Sequence, residues 1–375
     1  MLGNTFGRIF RITTCGESYG GGLSVIVDGV PAGLALTKEY VQHELDKRKP
    51  GQSPLDSPRK ETDKVEIFAG MLEGYTTGAP VGMIIYNVDT QKIHVDQYRE
   101  VKDVIRPGHA EYPFFVKYGP YADWCGAGRA SGRETVGRVA GGAVAKYILE
   151  QENIEVLAFT KESNGIVARD LTFEEVKANY RKNEINCPDL DIADEMIKDV
   201  LRVRDTGDTT GGIIEVIIRN VPAGLGEPVF DKLSADLAKG IMSIGACKGI
   251  EIGSGFNAAK MTGYEWNDKP YEKDGKVGFR TNNQGGILGG ISTGQDIVLR
   301  VAVKATPTIS IDQNSVNMAT MKDAKLNAIT RRDASLLPRI YPVIEAMTRC
   351  VILDHLYLWR AWNSMQRYEN PWRNG

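Results

Sequence analysis

Gly16 Glu17 Ser18 Tyr19 Gly20 Gly21 runs through Val25 Ile26 Val27 into Val30 Pro31 Ala32 Gly33 Leu34, and the same wording returns 191 residues later. There Gly207 Asp208 Thr209 Thr210 Gly211 Gly212 runs through Val216 Ile217 Ile218 into Val221 Pro222 Ala223 Gly224 Leu225, with identical internal spacing. A match of this length predicts an internal duplication whose unit is a turn, a strand and a helix, with the pseudo-repeats beginning near Gly16 and Gly207. The first helix is predicted over 37–47, and the second carries Leu233, Leu237 and Ile241 at helical spacing. Strand candidates over 81–87 and 297–304 follow Thr76 Thr77 Gly78 and Ser292 Thr293 Gly294, and are expected to join the same sheets.

Between the halves, Val136, Val139, Ala140, Ala143, Val144, Tyr147 and Ile148 recur at i, i+3, i+4, i+7, predicting an amphipathic helix over 132–150. Ser131 and Glu134 spell a capping box at its start, and Gly137, Gly141 and Gly142 thin one face for close packing. Further helices are predicted over 172–181, opening on Thr172 and Glu175, over 192–203, and over the apolar stretch 342–359. The last is expected to bury itself against the core or another subunit. Strand pairs and helices without strict alternation favour an α+β layered architecture over a doubly wound sheet.

Lys plus Arg is 46 and Asp plus Glu is 48 in 375 residues, a net charge of −2. No basic excess advertises nucleic acid or an anionic membrane, so any anion site must be local. Glycine is abundant, 41 residues, and scattered through apolar segments, which predicts many tight turns. Five cysteines at wide spacings, without a Cys-x-x-Cys pair, read as reduced thiols with no metal. The first residues lack a signal-peptide pattern, and no apolar run approaches the roughly 18 residues of a membrane-spanning helix, so a cytoplasmic, soluble protein is expected.

Several segments admit both a structural and a chemical reading. The glycines of 16–22 suit a tight turn between strands, or a close backbone approach to phosphate. His109, in Arg106 Pro107 Gly108 His109 Ala110, is either a surface loop histidine or a catalytic one. Arg129 Ala130 Ser131 Gly132 Arg133 places two arginines and a serine at a predicted helix start, either as an anion site or as a solvated cap. Lys47 Arg48 Lys49 suits a helix C-terminus, 281–292 reads as a hairpin or as a backbone cradle for a ring system, and Arg331 Arg332 Asp333 reads by default as exposed charge.

In order and wording these segments resemble the chorismate synthase family over nearly the whole chain, from Gly3 Asn4 Thr5 to the helix after Pro342. The matching stretches are Gly16 Glu17 Ser18, 48–51, 106–110, 129–135, Lys248 Gly249 with Glu251 Ile252 Gly253, 282–292, and Pro342 with Glu345 Ala346 Met347. The resemblance implies a layered β-α-β sandwich in a single large domain over 1–375, and a homotetramer. It implies a carbon-oxygen lyase of the shikimate pathway of aromatic amino acid biosynthesis, converting 5-enolpyruvylshikimate 3-phosphate to chorismate with reduced FMN. NADPH or an external flavin reductase would supply the reduced flavin.

By the same resemblance, Arg48, Arg106, Arg133 and Arg339 bind the substrate, and His109 protonates or steadies the reduced flavin. Arg129, Ala130, Ser131, Gly245, Ala246, Gly289, Lys304, Ala305, Thr306, Pro307, Thr308 and Arg331 contact the flavin, while Ser18 and Asp333 form a proton-relay pair. The chain departs from the family pattern at Tyr19, where the family has the histidine that protonates the leaving phosphate. It departs again at Arg332, in place of a second histidine, at Pro54, in place of an arginine, and at Gly245, in place of an asparagine. Alternatives to the synthase are a diverged homologue acting on another phosphorylated cyclic acid, and a flavin-binding protein without lyase activity.

Overall fold

The strand that follows each glycine turn lies at the centre of a five-stranded antiparallel sheet. In the computed structural model, which describes residues 3–57, 62–88, 92–327 and 333–367, the first sheet has five strands. They are Thr5–Phe6 (β1), Arg11–Gly16 (β2), Gly22–Asp28 (β3), Val65–Ala69 (β4) and Val81–Tyr86 (β5), in the order β1-β2-β3-β5-β4. The second contains Glu155–Ser163 (β6), Ile166–Val167 (β7), Gly212–Arg219 (β8), Cys247–Ile252 (β9) and Ile297–Val303 (β10), in the order β9-β10-β8-β6-β7. Val25 faces Met83 across β3 and β5, as Val216 faces Leu299 across β8 and β10. Alternation sets the faces: Leu23, Val25 and Val27 are buried, while Ile26 between them is exposed.

The two halves share a stitch. Thr76 Oγ1 donates to the Pro31 carbonyl at 2.6 Å and accepts from the Leu34 amide at 2.9 Å. Ser292 Oγ donates to the Pro222 carbonyl at 2.6 Å and accepts from the Leu225 amide at 2.9 Å. In each half a hydroxyl therefore satisfies both groups of a Val-Pro-Ala-Gly-Leu turn and ties it to the lead of the neighbouring strand. This gives the repeated Ser/Thr-Thr-Gly wording its physical reason.

The helices used below are Lys38–Asp46 (α1), Glu111–Tyr118 (α2), Thr135–Gln151 (α3), Leu233–Met242 (α4) and Leu337–Met365 (α5); others lie between them, among them Lys92–Glu100, Phe173–Asn179 and Leu190–Asp205, the last over the predicted 192–203. Thr37 caps α1 by accepting from the Tyr40 amide at 3.1 Å. Phe173–Asn179 carries the predicted Thr172–Glu175 capping box. α3 packs on β2, β3 and β5 and also on α5, which in turn packs on β6 and β8. The glycines sit where this crowding demands them. A Cβ on Gly141 would lie 2.8 Å from Ile12 Cγ2, and one on Gly142 would lie 2.4 Å from Ala346 Cβ on α5. One hydrophobic cluster runs through both sheets and through α1, α3, α4 and α5, so the chain is a single domain of mixed helix and sheet.

Two polar knots cross that core. Buried Arg349 on α5 donates to Glu44 on α1 (3.1 Å), Glu345 (2.8 Å) and the Val156 carbonyl (3.2 Å), while Glu345 accepts from the Ala158 amide at 2.9 Å. Each charge is thus paired as well as buried. Asp354 accepts from the amides of Arg8 (3.0 Å), Ile9 (2.7 Å) and Phe10 (3.0 Å), pinning the chain's start to α5.

Two expectations change. The helix over 132–150 begins as a 3-10 turn, Gly132–Glu134, and becomes α-helical at Thr135. Ser131 accepts from the Arg133 amide and the reciprocal half of the capping box is missing, because the Glu134 carboxylate is taken by Thr14 Oγ1 and Arg138 Nε, both at 2.8 Å. The final helix starts at Leu337, not at Pro342. Pro338 occupies its first turn, and Pro342 lies inside, giving up one helical hydrogen bond. Its buried residues run from Leu337 to Leu356, so the core and not a second subunit covers this stretch. No described helix is long and apolar enough to cross a membrane.

Candidate active site

The site is built from the connections leaving β2, α1 and β10, the turn entering α3 and the loop before α2. The glycines of 16–22 do turn tightly between β2 and β3, and this turn carries Ser18 and Tyr19. Ser131 Oγ reaches Ser18 Oγ at 3.4 Å. The Tyr19 ring stands edge-on to Tyr98 with centroids 5.4 Å apart, and Tyr98 carries the Arg106 guanidinium 5.3 Å above its own ring. Gly126 makes room for this stack: it has φ of 62°, and a Cβ there would lie 2.6 Å from the Tyr19 ring.

Arg48, just beyond α1, and Arg133, in the turn before α3, are both buried. Arg48 donates through Nε to Thr135 Oγ1 (2.8 Å), through Nη2 to the Gly132 carbonyl (2.9 Å) and through Nη1 to Asp63 Oδ2 (3.0 Å). Arg133 donates through Nε to Asn87 Oδ1 (3.0 Å) and through Nη1 to Asp63 Oδ1. Asn87 in turn donates to the Glu17 and Gly20 carbonyls at 2.9 and 2.8 Å, joining Arg133 to the Ser18–Tyr19 turn.

His109 sits in the loop before α2. Its Nδ1 is 3.1 Å from the Pro107 carbonyl and its Nε2 is 3.1 Å from Thr308 Oγ1. A carbonyl can only accept, so Nδ1 carries the hydrogen and Nε2 is left as an acceptor for the threonine hydroxyl. Burial lowers the imidazole pKa, and the nearby Arg106 charge lowers it further, which keeps the ring neutral. Arg106 donates through Nε to Glu111 Oε1 at 2.6 Å.

Lys304, at the end of β10, donates to the Gly108 carbonyl at 2.6 Å, and Pro307 packs on Gly108. The Lys304 amide bonds to the Ala246 carbonyl at 3.0 Å. His109, Ala246 and the strip Lys304, Ala305, Thr306, Pro307 and Thr308 therefore form one neighbourhood. Burial lowers the Lys304 pKa, as does the like charge of Lys248, which sits at a β-bulge between Cys247 and Gly249. Among the described residues neither lysine has a carboxylate within ion-pair distance. Together they make a local cationic spot in a chain of near-zero net charge.

Other predicted residues have partners of their own. The Arg129 guanidinium turns toward β2, donating to the Gly16 (3.0 Å) and Thr14 (3.1 Å) carbonyls, to Thr14 Oγ1 (2.8 Å) and to Asn4 Oδ1 (3.2 Å). Gly289 turns the hairpin Ile287–Leu288 to Ile291–Ser292, which is tied to the start of α4 through the Leu233 amide and the Gly290 carbonyl. Asp333 accepts from Arg339 Nη1 at 2.7 Å and from the Ser57 amide at 2.8 Å. Among the described residues no hydrogen bond joins Asp333 to Ser18. Arg331 and Arg332 lie outside the described residues.

The family model described as chorismate synthase matches residues 10–357. The chain belongs to the chorismate synthase family. A chorismate synthase of Acetivibrio thermocellus is 57% identical over 99% of both chains, and one of Methanococcoides burtonii is 50% identical over 95% of this chain and 96% of its own. A crystal structure of chorismate synthase superposes with a TM-score of 0.71 at 29% identity, covering 94% of this chain and 93% of that one. The activity is accordingly that of a chorismate synthase, a lyase acting on a phosphate-bearing substrate. Sequence reading missed Asp63, Asn87, Thr135 and Glu111, which the fold brings against the arginines of this candidate site. Each is a common polar residue whose role appears only once the chain is folded around the arginines.

Proposed function

We propose that the chain eliminates phosphate and a ring hydrogen from 5-enolpyruvylshikimate 3-phosphate with reduced FMN, giving chorismate. The observation that carries the reading is the meeting of buried Arg48 and Arg133 with the Tyr19 turn, and of Arg106 with His109 and the Lys304–Thr308 strip. In the overall reaction the carbon–oxygen bond to phosphate and one ring carbon–hydrogen bond break, a ring double bond forms, and no net oxidation occurs.

The strip fits a flavin. Among the described residues Thr306 Oγ1 is buried without a hydrogen-bond partner, and Lys304, two residues before it, with Lys248 near Lys304, offers positive charge that no carboxylate there pairs. Lys304, Ala305, Thr306, Pro307 and Thr308, with Gly245 and Ala246, would hold FMN; Arg129, Ala130 and Ser131 would border it. When bound, reduced FMN supplies an electron-rich ring against which the substrate reacts. His109 Nε2 is the atom that takes up or gives back a proton there, with Nδ1 anchored on Pro107. Arg48, Arg106, Arg133 and Arg339 receive the phosphate and the two carboxylates, and Tyr19 donates to the leaving phosphate. Asp333 and Ser18 move the ring proton.

FMN is expected to bind more tightly with substrate present, and Lys304→Ala to weaken flavin binding by about tenfold or more. Flavin titration of both proteins checks this. Unchanged affinity in Lys304→Ala would remove the strip from the flavin site. Bleaching of bound flavin by NADPH alone would assign reduction to this chain; otherwise a separate reductase supplies it.

The same reading makes the fold a layered β-α-β sandwich built by duplication, supported by the matching Thr76 and Ser292 stitches, and makes the protein a homotetramer. Phe230, 90% exposed, and its neighbour Val229 support a covered surface in the assembly. Light scattering at micromolar concentration should give four times the chain mass of 41.2 kDa, and a monomer contradicts it.

A further inference from the structure

We infer that Asp63 is a positioning residue that locks Arg48 and Arg133 into one anion-receiving unit. The inference rests on the substrate reading of those two arginines. Asp63 has no accessible surface, whereas Thr62 and Lys64 on either side are exposed, so a single side chain dips inward from a surface segment. Each carboxylate oxygen takes a different guanidinium, Oδ2 from Arg48 and Oδ1 from Arg133. The arginines come from separate elements, one after α1 and one before α3, and the shared carboxylate fixes the angle between their forks. It also offsets the repulsion of two neighbouring cations while no anionic substrate is present.

The backbone is built to hold it there. Asp63 adopts a left-handed conformation with φ of 43°, which aspartate tolerates better than most residues. Gln42 on α1 clamps both sides, donating to the Asp63 carbonyl at 3.2 Å and accepting from the Val65 amide at 3.0 Å. With no exposed atom, Asp63 does not itself touch substrate. It acts through the arginines.

Asp63→Asn keeps the shape, removes the charge and points an amide donor at one guanidinium. Its substrate KM is expected to rise about tenfold or more, with kcat changed only a few-fold and flavin affinity in the absence of substrate unchanged. Asp63→Glu, which keeps the charge, should recover part of the KM. Gln42→Ala leaves all three site residues in place and should raise KM in the same direction by less, which keeps the test open if Asp63→Asn does not fold. Unchanged KM in the folded variants overturns the inference, and so does a parallel loss of kcat, substrate binding and flavin binding. Wild-type protein that forms no chorismate under the same conditions would instead overturn the functional reading.

Discussion

His109→Ala is expected to fold, to retain flavin, and to lose about 10² to 10⁴ in turnover, the usual scale for a general acid or base. The fold should survive because the loop keeps other anchors, the His109 amide on the Arg106 carbonyl at 3.2 Å and Lys304 on the Gly108 carbonyl at 2.6 Å. The rate should not, because Nε2 is the one titrating ring nitrogen left to the Lys304–Thr308 side once Nδ1 is spent on Pro107. Burial and Arg106 hold the imidazole pKa below its usual value of about 6.5, so its protonated form is the minority species at neutral pH. The limb of kcat/KM that this group controls should therefore lie below pH 6.5 in the wild type and vanish in the variant. Turnover near wild type, with the pH profile unmoved, would make His109 a loop histidine and nothing more.

Tyr19 carries the second large effect. A leaving phosphate gathers negative charge, and a histidine can meet it with a proton and a positive charge; a tyrosine with a reference pKa near 10 offers only a neutral hydroxyl. The ring's place in the stack supports the substitution. Tyr19 stands against Tyr98, whose other partner is the Arg106 guanidinium, so a fixed cation lies one ring away from the hydroxyl-bearing side chain. Tyr19→Phe is expected to lower turnover about tenfold, the scale of a lost hydrogen bond to developing charge, and Tyr19→His to raise it. Steady-state phosphate release measures both. If Tyr19→Phe equals the parent and Tyr19→His gains nothing, this position does not supply the phosphate's proton.

The duplicated wording was legible because spacing is preserved through turn, strand and turn, and the residues that repeat are those that the turn requires. Val-Pro-Ala-Gly-Leu needs a hydroxyl to satisfy its backbone, and the chain supplies Thr76 and Ser292 in the same place. The glycine face of α3 was legible for a similar reason, since only close packing explains Gly141 and Gly142 inside a helix. The ends of elements were less so. Ser131 and Glu134 spell a capping box, yet Glu134 is claimed by Thr14 and Arg138 from other elements, a competition that local pattern cannot register.

Within the candidate site, the family wording pointed to His109 and to the strip after β10, which the fold brings within hydrogen-bond reach of each other. The direction of a guanidinium could not. Arg129 and Arg133 read alike in sequence, but Arg129 folds back on β2 while Arg133 joins Asp63 and Asn87. Asp63 was invisible because nothing in Lys60, Glu61, Thr62, Asp63, Lys64, four charged residues and a threonine, sets one carboxylate apart from an ordinary exposed charge. Only the left-handed backbone and the Gln42 clamp turn that one carboxylate inward.

Elimination at this site on reduced flavin can be followed in an anaerobic assay with chemically reduced FMN and 5-enolpyruvylshikimate 3-phosphate. The expected result is catalytic formation of chorismate and phosphate in equal amounts, with the bound flavin still reduced when substrate is exhausted. Tight flavin binding without chorismate would contradict it, as would phosphate release accompanied by stoichiometric oxidation of the flavin.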